Sequence, residues 1–110
     1  MPVDIAQRHD VLTSGRADVS IVFTTDPQNK REGFVLLDDD KGMFPPYNST
    51  LVIRNDILEQ AGPDLAKVVE QVNEGLTDGV MQELNARVDI DKKTPEQVAG
   101  EYLSETGLVE

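Results

Sequence analysis

A chain of 110 residues can bury one modest core but not two, so a single domain spanning residues 1–110 is the expectation. Twenty-one acidic residues against ten basic ones give a formal charge of −11. A field of that sign repels phosphate backbones and argues against nucleic-acid and anionic-membrane partners, while it suits a cationic ligand or, more plainly, solubility.

The first segment, Asp4 to Ser14, places Ile5, Val11 and Leu12 on a helix that Gly15 stops. Val19-Ser20-Ile21-Val22-Phe23 is rich in β-branched residues and bounded by polar turns, which predicts a buried strand. Pro27 to Gly33 reads as a loop, Phe34-Val35-Leu36-Leu37 as a second short strand and Leu51-Val52-Ile53 as a third. Between these two strands Pro45-Pro46 rules out helix. From Asn55 the apolar period changes from two to about 3.6. Asn55 caps a short helix through Ile57 and Leu58 that ends near Gly62. Pro63 opens the next, with Leu65, Val68, Val69 and Val72 on one face. Thr77 caps a third that turns Val80, Met81 and Leu84 inward. Thr94-Pro95-Glu96-Gln97 offers a capping threonine, proline at the first helical position and the glutamine of a capping box. The helix it starts buries Val98, Tyr102 and Leu103 and closes at Gly107. Short strands followed by a C-terminal helical cluster define an α/β class.

Catalytic chemistry finds little to work with. There is no cysteine, which excludes disulfides, thiolate nucleophiles and Cys-ligated zinc. His9 is the single histidine and no Gly-x-Ser-x-Gly elbow presents a serine to it, so it reads as an ordinary helix residue. The eight glycines form neither a dinucleotide fingerprint nor a Walker loop. Asp38-Asp39-Asp40 tempts a calcium reading, but Ser49 stands where a calcium loop requires its twelfth-position glutamate, leaving a solvated strand end. Carboxylate pairs suited to glycoside hydrolysis arise by chance among so many acids. No cofactor and no metal are expected. The loop Met43-Phe44-Pro45-Pro46-Tyr47-Asn48 stands apart: a proline-braced tyrosine loses little entropy when held in one pose, and its ring face is a seat for a cation. Covering the core edge is the equal alternative for Phe44 and Tyr47.

The residues also resemble a known family. Gly15-Arg16-Ala17-Asp18-Val19 leading to Phe23-Thr24-Thr25-Asp26 is similar to a segment of the glycine betaine, choline and carnitine binding proteins of ABC importers. So are Leu36-Leu37-Asp38-Asp39-Asp40-Lys41-Gly42-Met43-Phe44-Pro45-Pro46-Tyr47, Met81-Gln82-Glu83-Leu84-Asn85 with Val88-Asp89, and Pro95-Glu96-Gln97-Val98-Ala99 with Tyr102-Leu103. The motifs fall in the family's order and extend over most of the chain. The resemblance implies a type-II periplasmic-binding fold, two α/β lobes that clamp a quaternary ammonium in a cage of aromatic rings. By motif position Tyr47 matches one cage tyrosine and Phe23 another, where phenylalanine keeps the ring face and loses the hydroxyl. Asp26, Asp39 and Lys41 match as turn and strand-end residues, and Asn85 and Val88 as helix-end packing.

The family's chain is longer, so the resemblance implies the C-terminal part of a two-lobed protein. Met1-Pro2-Val3-Asp4 carries neither the basic nor the apolar region of a signal peptide. Read literally this is a soluble cytoplasmic protein; on the resemblance it is an extracytoplasmic one whose targeting segment lies upstream. The expected function is a substrate-binding component with no turnover. Its partners would be a quaternary-ammonium small molecule, such as glycine betaine, choline or carnitine, and the permease subunits of an ABC transporter. The alternative is a self-associating structural fragment with no small-molecule site, and an isolated chain of this kind is expected to form a homodimer.

Overall fold

The computed structural model describes residues 1–109, and in it the threonine caps read from the sequence are formed, whereas Asn55 makes no side-chain cap bond and is the first residue of its helix, after Arg54. In the order of the chain, α1 spans Asp10–Thr13, α2 Pro27–Arg31, α3 Asn55–Ala61, α4 Asp64–Glu74, α5 Asp78–Asp89 and α6 Pro95–Glu105. Thr77 caps α5 by accepting the amide of Val80. Thr94 accepts the amide of Gln97 while the Gln97 side chain accepts that of Thr94, a complete capping box at the start of α6.

The chain divides into two bodies, Met1–Leu36 together with the segment from Thr77 onward, and Leu37–Leu76. In the first, α2 packs on α5 and α5 on α6. Val11, Val98 and Tyr102 are buried there, as are Pro27 and Asn29 of α2. An arginine fork joins α5 to α6. The Arg87 guanidinium donates to both carboxylate oxygens of Glu105, at 3.0 and 3.2 Å, and to Glu101 at 3.2 Å. Lys93 closes on Glu101 at 2.7 Å. Lys93 and then Arg87 hold the Glu101 carboxyl below its ordinary range, while Glu105 pushes the guanidinium of Arg87 further up. In the second body α3 packs on α4. Gly62, in the left-handed region at φ 78°, makes the turn between them.

Several expectations require correction. The strands read at Val19–Phe23, Phe34–Leu37 and Leu51–Ile53 are not formed, and there is no β-strand among the described residues. A strand exists only through its ladder. With no neighbour paired to them, Val19, Ile21, Val35, Leu37, Leu51 and Val52 stand exposed. The loop read at Pro27–Gly33 begins instead with α2, started by proline at its first turn and packed on α5 rather than signalled by apolar period. The helix read from Asp4 to Ser14 divides into a 3₁₀ turn over Ile5–Gln7 and the short α1. Gly15, at φ 67°, ends α1 as expected: its amide donates to the carbonyl of Leu12 and that of Arg16 to the carbonyl of Val11. On α4, Leu65, Val69 and Val72 are half-buried as expected, but Val68 is exposed.

Candidate functional site

The first candidate ring, Phe23, ends the Val19–Phe23 segment and is held by backbone bonds on both sides. Its amide donates to Asp26 Oδ2 at 3.0 Å, and its carbonyl accepts from Asn29 Nδ2 at 2.7 Å. Asn29, only 2% exposed, faces His9 Nε2 through Oδ1 at 3.1 Å. With Nδ2 spent on Phe23, the Asn29 atom toward the imidazole is the oxygen, which puts the proton on His9 Nε2. His9 also stacks on Phe34, centroids 6.1 Å apart. The ring of Phe23 is 44% exposed and carries a cation: the guanidinium carbon of Arg8 lies 4.4 Å from its centroid. Arg8 Nη2 in turn lies 3.4 Å from the same Asp26 Oδ2 that holds the Phe23 amide.

Helix α5 fastens the residues that follow. The Gln82 amide donates to the carbonyl of Thr24, and Asn85 Nδ2 to that of Thr25 at 3.1 Å. Gln82 and Asn85 stand three apart on one helix face, so both reach the same loop. Asn85 is therefore a tether rather than the helix-end packing residue its motif position suggests.

The second candidate ring, Tyr47, belongs to the second body and is 84% exposed. Its loop starts from a braced turn: Asp39 Oδ1 accepts the amide of Met43 at 2.9 Å and Oδ2 that of Phe44 at 2.8 Å. These amides, Phe44's first, hold the Asp39 carboxyl below its ordinary value. Gly42 supplies the left-handed conformation, φ 62°, that lets the turn close. Asp26 and Asp39, read from the sequence as turn residues, both serve in that way. Phe23 and Tyr47 lie in different bodies, and each is described with its own neighbours.

Sequence reasoning missed Arg8, His9 and Asn29 as neighbours of Phe23. The tripeptide Asp26-Pro27-Gln28 announces a turn, but nothing in local spacing brings residues 8 and 9 to residue 29. No group of three or more His, Asp or Glu residues that could hold a metal occurs among the described residues. No helix of the described residues is long and apolar enough to cross a membrane. What the geometry offers chemically is a half-exposed ring face that already attracts a guanidinium, and an exposed tyrosine on a stiff loop.

The family model for the substrate-binding domain of the ABC-type glycine betaine transport system matches residues 4–105, and the chain belongs to that family. Its relatives are transport binding proteins. The ergothioneine transport permease/ergothioneine binding protein EgtU of Helicobacter pylori (strain G27) is 38% identical over 106 residues, covering 96% of this chain and 19% of the relative. The glycine-betaine-binding protein of Pseudomonas aeruginosa is 41% identical over 87 residues, 79% of this chain and 28% of the relative. The carnitine transport binding protein OpuCC of Listeria monocytogenes is 29% identical over 109 residues, 99% of this chain and 35% of the relative. The chain thus spans between 19% and 35% of the length of these three relatives. No solved structure gives a significant match.

Proposed function

We propose that this chain is the C-terminal part of a two-lobed, type-II periplasmic-binding protein that delivers a quaternary-ammonium osmoprotectant to the permease subunits of an ABC importer. The protein works outside the cytoplasm, binds its ligand without turnover, and holds the trimethylammonium group in an aromatic cage to which Phe23 and Tyr47 each contribute a ring face. The observation that carries this reading is the family match across residues 4–105. The cation on the Phe23 ring and the braced loop under Tyr47 support the assignment of the two rings.

Within the quaternary-ammonium class, a thione-bearing betaine is the second reading. It is favoured by the relative named for ergothioneine, whose match extends over 96% of this chain. Titration calorimetry of the full-length protein with glycine betaine, choline, carnitine and ergothioneine separates the two. A single strong binder among the first three supports the osmoprotectant reading, and ergothioneine alone supports the second. Absence of binding to all four overturns both.

A further inference from the structure

Arg8 takes the position on Phe23 that a cationic ligand would use. Its guanidinium carbon is 4.4 Å from the ring centroid, and the side chain is 15% exposed, mostly withdrawn from water. It is also incompletely satisfied. Nε is buried with no hydrogen-bond partner, and the ion pair with Asp26 is long at 3.4 Å. Such a cation has little holding it beyond the ring face and one carboxylate, and an unmade buried hydrogen bond opposes its burial. We infer that Arg8 is an internal competitor for the Phe23 ring, a built-in cation that lowers the affinity of the site for a quaternary ammonium. This rests on the reading of Phe23 as a cage ring.

The sign does not depend on which face the ligand takes. On the face held by Arg8, the ligand must first displace the guanidinium. On the opposite face, two like charges polarise one π system and repel across it. A binding protein must also release its cargo, and a resident cation that returns to the ring as the ligand leaves favours release. Asp26 fixes where Arg8 waits, because its Oδ2 holds both the Phe23 amide and the Arg8 Nη2.

The test is calorimetry of the full-length protein with glycine betaine, or with ergothioneine if that is the ligand found, for Arg8→Gln, Phe23→Leu and the double variant. Arg8→Gln is expected to tighten binding roughly two- to fivefold, the size of one exposed cation–ring contact, and to do nothing in the Phe23→Leu background. Loss of a merely structural contact would weaken binding, so the tightening is specific to competition. Arg8→Met, uncharged and similar in stem length, gives the same readout if Arg8→Gln is unstable by circular dichroism. Unchanged or weakened binding in a folded Arg8 variant overturns the inference while leaving the cage intact, as does equal tightening with and without the ring. If Phe23→Leu alone costs nothing, the cage assignment of Phe23 falls, and the role of Arg8 falls with it.

Discussion

Asp39 fixes the turn from which Pro45 and Pro46 carry the chain to Tyr47. The folded value of that carboxyl is depressed by the amides it accepts. The bracing is therefore complete above the ordinary aspartate value and is lost as pH falls through the lower, folded one. In a nuclear magnetic resonance titration the Met43 and Phe44 amides are expected to shift together, with a midpoint below the ~3.9 of a free aspartate. Neither is expected to shift this way in Asp39→Asn, and a midpoint at or above the free value would contradict the brace. The ring itself is tested by truncation. In the full-length protein Tyr47→Ala is expected to weaken quaternary-ammonium binding by about 1–2 kcal/mol, the worth of one desolvated ring face, and Tyr47→Phe by much less. Equal and negligible losses in calorimetry would remove Tyr47 from the cage.

Helix α5 joins three parts of the first body: its middle face ties the Thr24–Thr25 loop through Gln82 and Asn85, its flank packs on α2, and Arg87 grips α6. Gln82→Ala and Asn85→Ala are each expected to lower stability by about 0.5–1.5 kcal/mol in denaturant melts. The double variant is expected to cost less than the sum, because both bonds hold one loop. Additive losses would show the two tethers to be independent. How far such elements could be read in advance depended on how local their causes are. Thr77 and Thr94 mark the starts of α5 and α6 unaided, because a cap is decided within four residues. Helix α2 was hidden because its buried residues are Pro27 and Asn29, which carry no apolar period. The segment Val19–Phe23 has a strand's composition, but strand formation is decided by a neighbour that composition does not name. Tyr47 was legible from its proline-braced loop and Phe23 only through motif resemblance, whereas the Arg8 contact depends on bringing residues 8 and 23 together, which no spacing encodes.

At the scale of the whole molecule, two rings are a small foothold for a ligand. Exposed cation–ring contacts are worth about 0.5–1 kcal/mol each, against ~4 kcal/mol or more of lost translational and rotational freedom. The isolated 110-residue chain is therefore expected to show no binding of glycine betaine or choline below millimolar concentration by calorimetry. It is also expected to associate as a homodimer or larger, because exposed apolar surface drives assembly. Micromolar binding by the isolated chain, or a clean monomer mass in light scattering, would count against these expectations in turn. The exposed segment Val19-Ser20-Ile21-Val22 gives that association a direction. It has neither charge nor proline, and Val19 and Ile21 stand exposed, the properties of a template on which identical chains stack into fibrils. Asp18 lies directly before it and is exposed. Stacking in register would set one Asp18 above the next at a repeat of ~4.8 Å, where like carboxylates repel. Exposed Asp18 at the edge of the segment thus opposes such stacking.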